Sequence, residues 1–244
     1  MAQSYGPKPI ITDGLVFCID AGNGRCYPGS GTAVDDIVFN CTGVLDNTTY
    51  SPDNGGCFAF DGTDDQLDMT GNSPELTGDA TICWWFRAAA SQASTHEGLV
   101  SSYYYWTSGK DNNFAFQWYT QSGNVLRLVT GNSGDYDTGE FTPNNPSFSG
   151  DTWFYVCIVH DDSANTLQPY WNGTTQGWST VAMDSRNLSG INEGMSVGHY
   201  RVNGNLVTSS TLDGDIGPVY IYNKALSASE IMQNFNAQKT RFGL

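Results

Sequence analysis

Apolar residues recur at every second position through most of this chain. Leu15, Phe17 and Ile19 alternate with Val16, Cys18 and Asp20, and Ile82, Trp84 and Phe86 alternate with Thr81, Cys83 and Trp85. Phe58 and Phe60 share a face, as do Phe114, Phe116 and Trp118, and Trp153, Tyr155, Cys157 and Val159. Leu126 and Leu128, Met195, Val197 and His199, and Tyr220 and Tyr222 repeat the pattern. A period of two is the side-chain repeat of a β-strand, not of a helix. Several of these strands are apolar on both faces, so they must sit in sheets covered on both sides or inside a sandwich. Turn residues separate them: Gly55-Gly56, Asn132-Ser-Gly134 and Asn203-Gly204-Asn205. Asn172-Gly173 suits a type I′ turn, which needs positive φ at both central residues. It predicts a hairpin of residues 167–171 with 174–178. Strands at this spacing without intervening helical patterns indicate an all-β sandwich or barrel.

One helix is expected, over residues 228–237. Ser227 and Glu230 form a capping box, in which each side chain satisfies the other's backbone amide. Leu226 and Ile231 make the hydrophobic staple, and Ile231 and Phe235 at i, i+4 give an apolar stripe that docks on the sandwich.

Charge narrows the function classes. The 244 residues carry 10 Lys plus Arg against 25 Asp plus Glu, a net charge of −15. That excess opposes nucleic-acid binding, which relies on neutralised phosphates. Aromatics at 13% exclude an acidic disordered tail. The longest apolar stretch, 153–159, falls far short of the roughly 20 residues a membrane helix needs. The N-terminus has no apolar h-region, so no signal peptide and assembly in a cytoplasm are expected. In that setting Cys18, Cys26, Cys41, Cys57, Cys83 and Cys157 are expected to be free thiols. No C-x-x-C pair proposes zinc. Segments 20–56 and 130–150 are the longest irregular stretches, and long loops on a rigid sandwich are where binding concentrates.

The order of segments carries a resemblance. Gly14-Leu-Val-Phe-Cys-Ile-Asp-Ala-Gly22, Gly55-Gly-Cys-Phe-Ala-Phe-Asp-Gly-Thr-Asp-Asp65, Asp79-Ala-Thr-Ile-Cys-Trp-Trp-Phe86, Thr152-Trp-Phe-Tyr-Val-Cys-Ile-Val-His-Asp161 and Gly214-Asp-Ile-Gly-Pro-Val-Tyr-Ile-Tyr222 occur in sequence. With the 227–231 helix start they resemble laminin-G-like domains of the concanavalin A-like lectin/glucanase class. The resemblance spans about residues 14–236 and implies a jelly-roll of two antiparallel sheets with one short C-terminal helix. Residues 1–13 are then an N-terminal arm and 14–244 one domain. Cys26, Cys41 and Cys57 stand where that family usually has Ser, Thr or an aliphatic, which fits free thiols. A domain starting this close to Met1 is also similar to stand-alone structural proteins of tailed bacteriophages.

Three chemistries remain. Retaining glycosidases need two carboxylates about 5–5.5 Å apart. Only five glutamates occur, Glu75, Glu97, Glu140, Glu193 and Glu230, and none has a carboxylate two residues away in a strand pattern. No catalytic residues are assigned. Carbohydrate binding needs exposed aromatic faces beside polar groups. The densest aromatic clusters, Tyr103 to Trp106 and Trp118-Tyr119, make Tyr104, Trp106, Trp118 and Tyr119 the candidates. Core packing is the competing explanation for each of them. The acidic turns supply Asp61, Asp65, Asp213 and Asp215 as candidate ligands for a structural Ca²⁺, although Asp is equally a turn former. No other cofactor is assigned.

The resulting expectation is a non-enzymatic virion surface protein, decorating a head or fibre, with host-surface glycans as candidate ligands. Its partners are other virion proteins and candidate further copies of itself, with no nucleic acid and no membrane insertion. The alternatives are a structural capsid or fibre clamp without ligand, and a carbohydrate-active enzyme or free lectin.

Overall fold

The computed structural model describes residues 8–70, 74–89, 96–102, 113–120, 124–132, 135–143, 152–183, 188–202 and 204–244. The strands are, in chain order, β1 (Leu15–Ile19), β2 (Ala33–Asp35), β3 (Thr42–Asp46), β4 (Thr49–Ser51), β5 (Cys57–Asp61), β6 (Gln66–Met69), β7 (Ala80–Ala88), β8 (His96–Ser102) and β9 (Asn113–Tyr119). There follow β10 (Val125–Asn132), β11 (Asp135–Phe141), β12 (Trp153–Asp161), β13 (Thr166–Trp171), β14 (Val181–Ala182), β15 (Met195–Val197), β16 (Arg201–Val202), β17 (Asn205–Leu206) and β18 (Asp213–Tyr222). The single α-helix among the described residues, α1 (Ala228–Gln238), closes the order before a 3₁₀ turn at Lys239–Phe242.

Two eight-stranded antiparallel sheets form the expected sandwich. The first runs β14-β13-β12-β7-β18-β5-β4, with β1 also on β18, and the second runs β11-β10-β9-β8-β15-β6-β3-β2. The alternating residues meet between them. Ile82, Trp84, Phe86, Phe154 and Val156 of the first sheet face Phe114, Phe116, Trp118, Leu126 and Leu128 of the second. Trp84 stacks on Phe116 at 5.7 Å, and Trp171 lies 4.6 Å from Phe154 and 5.9 Å from Trp118. Burying such a side chain contributes about 1.5–3 kcal/mol relative to exposure.

The intervening residues of the first sheet are also buried. Cys18, Trp85, Tyr155, Tyr220 and Tyr222 lie under Leu226, Ile231, Phe235 and Phe242. The capping box forms as expected, and α1 ends one residue beyond the predicted 237. Phe242 packs 4.2 Å from Trp85, whose Nε1 donates to Gln238 Oε1 at 2.8 Å. Residues 8–13, expected as an arm, are docked on this layer. The Ile11 amide donates to Asn234 Oδ1 at 2.7 Å, and Tyr222 Oη donates to the Ile11 carbonyl at 3.0 Å.

Two expectations are corrected. The six cysteines are not all free: Cys83 and Cys157 form a disulfide, while Cys18, Cys26, Cys41 and Cys57 remain buried thiols. Cys83 and Cys157 are direct partners in the β7–β12 ladder, a juxtaposition set by strand register. The Asn172-Gly173 turn has positive φ at both residues, 49° and 83°, but its second arm is one bridge, Trp171 to Thr174. Gln176 and Gly177 also take positive φ, 55° and 77°, and turn the chain so that Trp178 folds back to 5.3 Å from Phe141.

The outer face of the second sheet has a different cover. Gly198, at φ 77°, ends β15, so His199 leaves the strand face that its spacing had suggested. The β16–β17 hairpin and a 3₁₀ turn at Thr208–Ser210 follow. This segment lies so close to β8 that a Cβ on Gly98 would come within 2.3 Å of the His199 carbonyl carbon. Asp68 clasps it: His199 Nε2 lies at 3.0 Å, Arg201 Nη2 at 2.5 Å, and Ser196 Oγ donates at 2.9 Å. Burial acts to raise the Asp68 pKa, but hydrogen bonds from His199 and Arg201 outweigh it and hold the carboxyl at about 2.

Candidate functional site

The loop between β2 and β3 is built around one buried carboxylate. Asp36 is 4% exposed. Its Oδ1 accepts from the Cys18 amide at 2.6 Å and the Val38 amide at 3.1 Å, and its Oδ2 accepts from the Phe39 amide. Asp-to-backbone bonds of this kind substitute for ladder hydrogen bonds and fix a turn. The Asp36 amide donates to the Cys41 carbonyl at 2.7 Å, and the Ile37 amide to the Cys18 carbonyl at 3.0 Å. Ile37 packs against the core, which leaves Val38 and Phe39 facing solvent. Phe39 is 44% exposed and is the one aromatic among the exposed large apolar side chains of the described residues. Asn40 takes φ 69°, a left-handed conformation that Asn tolerates, and returns the chain to β3.

Around this loop lies a groove of about 510 Å³. The exposed Arg25, Asp35, Asn40 and Thr42 line it, with Asp36, Ile37 and Cys41 more deeply set. Thr42 Oγ1 donates to Asp35 Oδ1 at 2.9 Å. The groove thus offers a guanidinium, a carboxylate, an amide and a hydroxyl, with the exposed Phe39 next to it in the chain on a backbone that Asp36 fixes. Two thiols beneath the loop, Cys18 and Cys26, are buried. Burial, ahead of neighbouring carboxylates, pushes the Cys18 thiol well up, and burial pushes Cys26 up to about 12.

The residues singled out from sequence are distributed differently. Trp118 is corrected: it is fully buried and in the core, because the alternation that gives β9 its apolar stripe puts Trp118 on the face of Phe114 and Phe116. Tyr119 points the other way and is half-buried on the outer face of the second sheet. His96 lies 4.6 Å from its ring, and the Arg127 guanidinium lies 4.9 Å above it. Arg127 Nε is 3.6 Å from Glu140. Burial, with Arg127 second, lowers the His96 pKa, against the pull of Glu140. Tyr104 and Trp106 lie outside the described residues.

Of the four candidate metal ligands, Asp61 and Asp65 come together with Asp64, their carboxylate oxygens within 4.8 Å of one another. These are hard oxygen donors of the kind Ca²⁺ takes. Asp213 is the ladder partner of Asp61, and burial followed by Asp61 and Asp215 raises its pKa. Asp215 is corrected as a ligand: Arg87 Nη2 lies 2.6 Å away and Arg87 Nε donates at 2.7 Å, so its charge is already matched.

Phe39 and Asp36 were not singled out from sequence. The available signal was the segment itself, since the sequence of 20–56 reads as the longest irregular stretch; the structure corrects that reading, placing β2, β3 and β4 within it. Nothing local tells an Asp that organises a loop from an Asp that merely turns one.

The family model described as the concanavalin A-like lectin/glucanases superfamily, of laminin G type, matches residues 61–232. No curated protein matches the sequence. The fold is similar to the botulinum neurotoxin serotype D binding domain, with TM-score 0.68 and 14% identity over 93% of this chain and 53% of that one. It is similar to the binding domain of botulinum neurotoxin DC in complex with SialylT, with TM-score 0.67 and 16% identity over 93% and 52%. The chain therefore spans about half the length of these toxin domains. Domain 4 of an extracellular GH43 arabinanase from Geobacillus stearothermophilus, solved with arabinotriose, matches with TM-score 0.63 and 14% identity over 90% of this chain and 97% of that one. With the family model spanning most of the two sheets, the chain belongs to the concanavalin A-like lectin/glucanase superfamily.

Proposed function

We propose that this chain is a non-catalytic carbohydrate-binding domain that works at the surface of a virion. The observation carrying the binding role is the Asp36 loop. It fixes the backbone at Val38 and Phe39, so that the exposed Phe39 follows directly on the residues of a groove rich in polar groups. Sugars stack on an aromatic face while planar polar side chains fix their hydroxyls, and a preorganised loop lowers the entropic cost of binding. Similarity in fold to a domain solved with arabinotriose supports the same reading. Tyr104, Trp106 and Tyr119 are proposed as a second aromatic contact. The non-catalytic part rests on how described carboxylates are used. Glu230 caps α1, Asp68 and Asp215 are ion-paired, and Glu97 is fully buried.

The virion setting, with assembly in the host cytoplasm and neighbours among capsid or fibre proteins, rests on the resemblance to phage structural domains. Many copies on one particle convert weak single-site contacts into useful avidity. A glycan array probed with the wild type and with Phe39→Ala tests the binding role. Retention on sugars by the wild type and loss by the variant is the expected result, and no binding by the wild type overturns it. Mass spectrometry of purified particles tests the setting, and absence of the chain from them overturns it.

A further inference from the structure

From the way its cations are used, we infer that this domain selects neutral glycans and discriminates against sialylated, uronate-bearing or sulfated ones. The inference rests on the carbohydrate-binding reading above. An anionic sugar is held most strongly by a free cation, because charge-assisted hydrogen bonds best repay desolvation of the carboxylate or sulfate. The chain has 10 Lys plus Arg, of which Lys110 and Arg186 lie outside the described residues, leaving 10 − 2 = 8. Five of those eight are committed to carboxylates: Arg87 to Asp215, Arg127 to Glu140, Arg201 to Asp68, Lys224 to Asp13 and Glu230, and Arg241 to Asp20. Lys239 lies over the Phe235 ring, and Lys8 lines a separate groove beside Glu230.

That leaves Arg25 in the Phe39 groove, where Asp35 and Asp36 outnumber it. At the Tyr119 rim, Arg127 is offset by Glu140, and burial, with Arg127 second, lowers the His96 pKa. Among the described residues, neither place presents an unmatched lysine or arginine. Both sit on a chain of net charge −15, Lys110 and Arg186 included, whose field repels anions at long range. A neutral polyhydroxy ligand meets no such penalty, and it can donate to Asp35 and to the Thr42 oxygen while accepting from Arg25 and Asn40.

The test is an array of matched glycans that share a core and differ only in terminal charge: galactose-terminated chains with their sialylated and sulfated counterparts, and glucans with glucuronate-bearing ones. Binding is read at low and high ionic strength for the wild type, Phe39→Ala and Asp35→Asn. Neutral members should bind, and their acidic counterparts about tenfold more weakly at low salt. The gap should narrow at high salt, where repulsion is screened. Asp35→Asn should narrow it at low salt as well. Acidic members that bind as tightly as neutral ones, or more tightly with a loss in salt, overturn this inference and leave the carbohydrate reading standing. No binding by any member overturns both.

Discussion

The outer faces of the two sheets are built from the same alternating pattern and come to opposite ends. On the first sheet the outward residues are Trp85, Tyr155, Tyr220 and Tyr222, and they are sealed by α1 and Phe242. On the second sheet they are mixed: Ala115 and Val129 pack under Tyr200, while Arg127 and Asp68 are charged, and part of the cover is a short hairpin segment clasped through Asp68. A broad apolar outer face demands an apolar lid. A mixed face takes a smaller cover with local ionic fastening. The exposed Phe39 loop lies at the β2–β3 edge of that second sheet.

Breaking the sealed face should cost most. Trp85→Ala removes a fully buried indole beneath Phe242 and Phe235 and should destabilise the fold by about 3–5 kcal/mol in urea unfolding. The ionic clasp should show as acid sensitivity. The Asp68 pKa is depressed to about 2 in the folded state from 3.8, so its stabilising contribution is complete above about pH 5 and is lost progressively as pH falls through about 2. That amounts to about 2 kcal/mol, and Asp68→Asn should flatten the slope of stability in this window. Asp36→Ala leaves the amides of Cys18, Val38 and Phe39 without their acceptor and should cost about 1–3 kcal/mol together with glycan binding. Phe39→Ala should change stability by no more than about 0.5 kcal/mol while abolishing binding. A change in stability as large as that of Asp36→Ala would mean that Phe39 is a packing residue. For the covalent pair on the sealed face, thiol titration of the unfolded, unreduced chain should count four reactive groups, Cys18, Cys26, Cys41 and Cys57.

Alternation placed most strands, because side-chain direction on a strand is a local property. The capping box similarly announced α1, since all its groups lie within four residues. Trp118 shows how far local pattern extends to the site. Its neighbours Phe114 and Phe116 already implied an inward face, yet its pairing with Tyr119 suggested a surface cluster, and the two indications conflict only until the register is known. Asp215 was equally ambiguous, since its partner Arg87 lies 128 residues away.

The sequence by itself therefore determined the class of fold, the position of the helix and the acidic net charge. Those depend on period, caps and composition, which are readable within a few residues. Only the tertiary structure decided which aromatic faces solvent, which carboxylates are already matched, and which two of six cysteines meet. Each of these is a contact between residues distant in the chain. Its outcome follows from strand order and register, which no short stretch of sequence contains.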